Sequence, residues 1–451
     1  MKKNLLSAFL CSGLFFPFAT IAQDFPYSVT VLDQVLFYDG YAAVVDQPVP
    51  SGVIRHRNDS YAVKLTEEQI SSFGNTLTMN VVIKAACDNY DRIGNINLAL
   101  VPKNQTSYNY DSVSRIEIGR YITPFMNKNR TPTEVPYSYE VNNLTRILKD
   151  QTLSAEFDFW VELEVFGVPY SANTQVAGCS GRSDVFFGSL EFVSDQNPNV
   201  IYGTDHYFTP ITNKANLNNY QSGATDVPGQ TTRTFTFELQ EAVTNATVYF
   251  ITSNHGANSG GEEYNRRVHN IYFDNEQELS YIPGGKSCEP YRIYNTQPNG
   301  IYGNSPQSDD EWASFSNWCP GDAIPIRTIE VGDLAAGSHS FKIEVPTAQF
   351  VGQDGNIPVS AYLQAGSVTL GTNKFTQDKL TVSPNPVDNI LTIDTKGDAI
   401  SSVSVVNAIG QVVYQGVNSN KIDFSGYQSG IYIVKVTMST SEILIKKVMK
   451  K

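Results

Sequence analysis

The chain has 451 residues, too many for one sandwich core, so its length predicts two to four domains. Charged residues make up only 17%, Tyr and Phe are abundant and long helical periodicities are hard to find, which predicts short strands and turns. The formal charge of −13 and the pI near 4.9 argue against nucleic acid or an anionic membrane as main partner, because phosphate binding needs clustered Lys and Arg. An acidic, Tyr-rich surface suits neutral partners such as sugars.

Residues 1–22 read as a signal peptide: Lys2 and Lys3, an apolar run from Leu5 to Phe18, then small residues before a cut ahead of Gln23. Cys11 is expected to leave with it. No later segment has the ~20 apolar residues that a membrane span requires. Four cysteines then remain in an exported chain, and their even number predicts two disulfides, assigned here as Cys87–Cys179 and Cys288–Cys319. Without CxxC or HxxxH pairs the spacing does not suggest zinc, and no metal or other cofactor is expected.

Residues 23–40 read as an extended N-terminal extension. A first β-domain is expected over 41–195, with strands at Arg115–Ile122, Glu156–Phe166 and Asp184–Val193, and a short helix from Asn142 to Lys149 capped by Asn142 or Asn143. Turn chemistry at Ser194–Asn199 marks its end. A second β-domain is expected over 200–368, with strands at Arg233–Leu239, Ala246–Thr252, Asn270–Asp274 and Phe341–Val345. Residues 369–378 are polar and read as a linker. Residues 379–451 read as a small separate sandwich of six or seven strands. Its Ser383-Pro-Asn-Pro start, Asn407-Ala-Ile-Gly-Gln-Val-Val turn, Ser429-Gly-Ile-Tyr-Ile-Val-Lys-Val strand and basic tail resemble the type A C-terminal sorting domain of the type IX secretion system. That resemblance implies the secretion machinery as a partner, export across the outer membrane and removal of this domain. The released chain is expected either free or surface-attached. An adhesive or carbohydrate-binding module is the other reading of this segment.

Three acidic places stand out. The first is Cys87-Asp-Asn-Tyr-Asp-Arg-Ile-Gly-Asn, which sets Asp88, Asp91 and Arg92 between two apolar runs. The second is Trp160-Val-Glu-Leu-Glu, where spacing two puts Trp160, Glu162 and Glu164 on one strand face, like a sugar-facing wall. The third is a Gly-rich loop after the strand ending at Thr252, carrying Glu262, Glu263 and Tyr264 and leading to Arg266, Arg267 and His269. Each also reads as ordinary surface: a turn, a solvated strand face and a hairpin.

Residues of about 40–366 resemble bacterial peptide-N-glycosidase F. Four blocks occur in the family's order: Cys87–Asn95, Glu117-Ile-Gly-Arg-Tyr-Ile-Thr-Pro-Phe, Glu263-Tyr-Asn-Arg-Arg-Val-His-Asn-Ile, and Trp312 through Asn317-Trp-Cys-Pro-Gly to Arg327. The resemblance implies an all-β fold of two adjacent jelly-roll-like sandwiches, each of eight strands, with a site in the cleft between them. It implies a hydrolase acting on the amide between asparagine and the first N-acetylglucosamine of an N-glycoprotein or N-glycopeptide. By position it places the catalytic carboxylates on Asp91, Glu263 and Glu162, with Glu164 as the fallback for the third. Asp88, Arg92, Glu164, Trp160, Tyr264, Arg267 and Trp318 are the expected substrate contacts. Cys288 and Cys319 fall on a family disulfide. A monomer is the default expectation.

The sequence also departs from the pattern. Ala85 and Ala86 stand where the first block's cysteine partner belongs, Gly261 and Asn265 replace loop cysteines, and Tyr264 replaces a tryptophan. The arginine that helps hold the attacking water is missing from Ser314-Phe-Ser-Asn, with Arg266 or Arg267 as candidate substitutes. Three alternatives follow: an endo-acting glycosidase, a glycan-binding protein without catalysis, and a copper monooxygenase on the same sandwich pair. The five scattered histidines lack an HxH or His/Met set for the last.

Overall fold

A computed structural model describes residues 25–200, 202, 206–257, 261–297, 301–367, 380–397, 399–407, 411–439 and 443–451. The segments read as signal peptide and linker lie outside them. The chain divides into two compact units, Met1–Val368 and Thr369–Lys451.

The first half of the larger unit contributes β1 (Tyr27–Tyr38), β2 (Val53–Arg57), β3 (Ser60–Lys64), β4 (Thr76–Ala85), β5 (Ile93–Pro102), β6 (Ser114–Ile122), β7 (Glu134–Glu140), β8 (Phe157–Val165) and β9 (Asp184–Asp195). The second half contributes β10 (Tyr207–Leu217), β11 (Thr232–Leu239), β12 (Val243–Thr252), β13 (His269–Phe273), β14 (Glu276–Tyr281), β15 (Ala323–Ile324), β16 (Arg327–Leu334), β17 (Gly337–Glu344) and β18 (Ile357–Ser367). Sheet β1-β9-β4-β7 faces sheet β15-β6-β5-β8-β3-β2, and sheet β10-β18-β12-β16 faces β11-β17-β13-β14. Alternation on β4 and β7 buries Met79, Val81, Ile83, Val135 and Tyr137 on one face, against Ile96, Leu98, Val161 and Leu163 of the opposing sheet. Val248, Phe250, Phe341, Ile343, Val359 and Leu363 fill the second core.

Two findings depart from the sequence reading. Residues 27–38 are not an extension but an edge strand paired along β9, burying Val29, Leu32, Val35 and Phe37. Register slips between Thr30 and Leu32 and between Leu32 and Val35, with Gln34 at φ 46°, break the period of two that would have revealed it. The expected helix is shorter, Leu144–Leu148, and neither asparagine caps it through its side chain. Asn142 accepts the Leu77 N–H, while Asn143 donates to Tyr362 and Gln364 of β18.

The two sandwiches are locked by a buried ion pair. Arg120 of β6 is fully buried and gives its guanidinium to both oxygens of Glu117, at 2.8 and 2.7 Å. The same group donates to Ser253 Oγ and the Pro358 carbonyl, while Glu117 also accepts from Asn95 and Ser360. Such a pair is tolerable only when it is well satisfied, and here each guanidinium nitrogen and each carboxylate oxygen has a partner. The Glu117–Arg120 block is therefore a structural clasp.

Among its described residues the smaller unit has seven strands: β19 (Thr381–Ser383), β20 (Ile390–Asp394), β21 (Ile400–Asn407), β22 (Val412–Val417), β23 (Lys421–Asp423), β24 (Gly430–Met438) and β25 (Ile443–Lys450). Sheets β19-β20-β23 and β22-β21-β24-β25 enclose Leu391, Val405, Phe424, Val434 and Val436. Among the described residues no helix is long and apolar enough to cross a membrane.

Candidate active site

The link from β4 to β5 is built around Asp88. Its carboxylate is buried and accepts Arg92 Nε at 2.7 Å, the Tyr90 N–H at 3.0 Å and the Val168 N–H at 2.7 Å. Burial pushes Asp88 upward in pKa, against the pull of Arg92 and the two amides. Asp88 thus fixes Arg92 and the loop after β8, and its oxygens are taken by protein groups rather than open to substrate, contrary to the expected contact. The reason is local: a carboxylate four residues before an arginine in a tight link folds onto it. Cys87 beside it is bonded to Cys179. Gly94 is required two residues after Arg92, since a Cβ there would lie 2.1 Å from the Tyr121 ring.

Asp91 stands at the rim of this link and is partly exposed. Burial and then the charge of Glu263 push it up to about 8, while Arg92 opposes. Glu263 comes from the other sandwich, in the loop after β12, and is 8% exposed. Burial raises its pKa too; the Tyr264 hydroxyl and the Gly256 N–H, which donate to its carboxylate, work the other way. Tyr264 feels both Glu263 and Asp91 and is raised, first by its own burial. Asp91, Glu263 and Tyr264 therefore form one electrostatic group across the junction of the sandwiches.

The segment before Cys319 holds that loop in place. Ser316 Oγ donates to the Glu263 carbonyl at 3.0 Å, and Asn317 Nδ2 to the Glu262 and Glu263 carbonyls at 2.7 Å each. Phe315 packs edge-on to Tyr264 at 6.1 Å. The Cys288–Cys319 disulfide is formed. Trp318 is buried, donating Nε1 to the Asn254 carbonyl and packing on Ile122, Ile251 and Ile324; it is core, not a substrate contact. Arg267 is paired with the fully buried Glu262 at 3.1 Å, and Arg266 donates to the Pro283 and Ala313 carbonyls. Neither replaces the missing arginine, because both are spent holding the loop. The cation beside Asp91 is Arg92.

Trp160, Glu162 and Glu164 do share one face of β8, with Val161, Leu163 and Val165 in the core behind. That face is roofed, however, not open to a sugar. Glu162 is fully buried, accepting from Tyr108 at 2.7 Å, Arg115 at 3.0 Å and Asn97 at 3.2 Å; burial raises its pKa against Arg115. Glu164 accepts from Tyr110 at 2.6 Å and is paired with Arg57 and with Lys214 of the second sandwich. Burial alone would raise Glu164, but Lys214 and Arg57 prevail and hold it at about 2. Trp160 packs under Tyr108. The loop before β6 folds back over the strand, and period-two spacing carries no signal of that return. Tyr108 and Tyr110, alternating within a polar loop, were the available hint.

Among the described residues no group of three or more His, Cys, Asp or Glu is placed to hold a metal ion. Residues 28–181 match the family described as peptide-N-glycosidase F, N terminal, and residues 224–364 match peptide-N-glycosidase F, C terminal. The chain belongs to the peptide-N-glycosidase F family. Residues 381–451 match the secretion system C-terminal sorting domain, which indicates export by the type IX route. No curated protein sequence matches. The fold is similar to PNGF-II in two crystal forms, at 18% identity and TM-scores of 0.55 and 0.54, covering 76% of this chain and 66% and 65% of theirs. This chain thus spans about two thirds of PNGF-II. A solved PNGase F, a glycosylasparaginase from Flavobacterium meningosepticum, gives 16% identity and a TM-score of 0.49 over 76% of this chain and 96% of that one. At 18% identity the likeness to PNGF-II is one of fold.

Proposed function

We propose that the protein is an exported peptide-N-glycosidase that hydrolyses the amide between asparagine and the first N-acetylglucosamine of N-glycoproteins. The observation that carries this reading is the Asp91–Glu263 pair, two carboxylates from different sandwiches: burial and then the charge of Glu263 raise the proton affinity of Asp91, and burial raises that of Glu263. An amide needs an oriented water and a protonated leaving nitrogen. Asp91, held up to about 8, stays protonated near neutral pH and donates to the glycosylamine nitrogen. Glu263, oriented by Tyr264 and the Gly256 N–H, accepts the proton of the attacking water. The water oxygen bonds to the side-chain carbonyl carbon, and the carbon–nitrogen bond breaks. Aspartate remains in the peptide, and the released glycosylamine then loses ammonia in water. Arg92, pinned by Asp88, faces the developing charge.

The test is mass spectrometry of a denatured N-glycopeptide incubated with the protein in heavy-oxygen water. Peptide recovered as aspartate with one heavy oxygen supports amidase chemistry. Peptide retaining one sugar would move the assignment to an endo-acting glycosidase. Unchanged peptide would favour glycan binding without catalysis, the reading supported by Ser314–Asn317 lacking an arginine while Arg266 and Arg267 are committed elsewhere.

A further inference from the structure

Three short helices close the first sandwich at the end away from the candidate site: α1 (Glu67–Ser72), α2 (Leu144–Leu148) and α3 (Gln151–Glu156). On β8 this end is Phe157, which pairs with Pro102, whereas Gly94 beside the Asp91 link pairs with Val165. β8 is nine residues long, so about 25 Å separates the two ends. A helix that closes a sandwich ordinarily buries an apolar stripe. α2 does so with Leu144, Ile147 and Leu148, but α1 and α3 bury no residue fully. Beneath them lies a cleft of about 470 Å³, floored by Leu65, Ile70, Leu148, Phe157 and Phe159. Its size and apolar floor are those of a small-molecule site.

The charges around the rim do not balance. Asp158 is fully served: it pairs with Lys64 at 2.5 Å and Lys103 at 3.2 Å, and accepts the Asn104 N–H at 2.9 Å. Lys103 also pairs with Glu67 at 2.8 Å. The Ser71 and Ser154 hydroxyls turn back to carbonyls of their own helices. Lys149, which follows α2, is the exception. Its ammonium donates only to the neutral Phe73 and Gly74 carbonyls, and the residue stands exposed at the mouth. Partial burial lowers its pKa, and among the described residues no carboxylate acts the other way. Asp150, next in the chain, is bound to His206 and to the first amides of α3. An ammonium has three N–H groups, so one donor and an unanswered charge stand over an apolar floor.

We propose that this cleft binds a free aliphatic monocarboxylate of medium chain length, its hydrocarbon laid on the apolar floor and its carboxylate on Lys149. The inference is independent of the amidase reading. The occupant follows from charge complementarity. One unneutralised ammonium matches one carboxylate, whereas a phosphate dianion needs more donors than remain. An aliphatic cation would find no partner, since Asp158 and Glu67 are already paired. A neutral alcohol would cover the floor and leave the charge unanswered. Covering the floor removes apolar surface of both partners from water. The ion pair at the mouth keeps its contact with solvent, so neither charge is stripped of water completely.

The experiment is calorimetric titration of the full exported chain with decanoate below its micellar concentration, and with decanol and decyltrimethylammonium, which share its tail. Wild type is expected to prefer decanoate to decanol about tenfold, the worth of one charge-assisted hydrogen bond, and to bind the cation most weakly. Lys149→Met should abolish that preference and Lys149→Arg should retain it. Ser71→Trp, which fills the cleft from α1, should weaken decanoate and decanol alike. Absent binding of decanoate, equal affinity for decanoate and decanol, an unchanged preference in folded Lys149→Met, or binding untouched by Ser71→Trp would each overturn the proposal. If Lys149→Met does not fold, the wild-type preference and the Ser71→Trp variant decide it by themselves. Binding to phosphatidylcholine vesicles without binding of free decanoate would make the occupant a bilayer and likewise overturn it.

Discussion

Replacing Asp91 by Asn should stabilise the fold while abolishing turnover. The folded protein binds the Asp91 proton far more tightly than the unfolded chain, with a pKa of about 8 against 3.8. A carboxylate with a raised folded pKa contributes fully below the unfolded value and loses that contribution as pH rises through the folded one. A gap of that size would be worth about 6 kcal/mol if water were excluded. Asp91 keeps part of its surface in solvent, so screening reduces the figure to roughly 2–3 kcal/mol. The neutral amide of the Asp91→Asn variant carries no such cost at any pH. The stability gap between Asp91→Asn and wild type should therefore be near zero at pH 4, widen through neutrality and level off above pH 8. Thermal unfolding of both proteins at pH 4, 7 and 9 reads it directly, with an expected rise in Tm difference of roughly 3–6 °C. A difference that stays flat with pH, or a variant less stable at pH 9, would refute the electrostatic account of Asp91. Retained wild-type turnover would refute its catalytic role.

Activity should trace a bell in pH, with an alkaline limb near 8 from Asp91 and an acid limb above the ordinary glutamate value from Glu263; a rate still rising past pH 9 would contradict the roles given to them. Asp88→Asn leaves Arg92 without its buried partner and should cost about 3 kcal/mol in denaturant unfolding, together with most of the activity. Glu162→Gln weakens a buried pair with Arg115 and should lower Tm while leaving kcat/KM within about threefold of wild type, measured well below Tm; a selective loss of kcat with unchanged Tm would return Glu162 to the catalytic set. Removing Cys87 and Cys179 together as alanines opens a long loop next to Asp88 and should lower stability by about 2–4 kcal/mol in thermal unfolding.

The sequence by itself determined the all-β class, because short alternating runs of Val, Ile, Tyr and Phe leave no other way to bury their apolar side. It also determined the sorting tail and the two cysteine pairs, and it singled out the residues Asp91 and Glu263. The tertiary structure decided what those residues face. Asp91 and Glu263 lie 172 positions apart in the chain, and the charge of Glu263 reaches Asp91 only because two sandwiches meet, joined by the Arg120–Glu117 clasp. Glu162 and Asp88 have the same side-chain chemistry as Asp91, yet one is roofed by Tyr108 and Arg115 and the other is bound to Arg92. Spacing along a strand tells which face a side chain takes. It does not tell whether a distant loop returns to cover that face, since that depends on long-range contacts with no period in the sequence. For the same reason β1 went unread: an irregular edge strand hides its alternation, and only its pairing along β9 shows which side is buried.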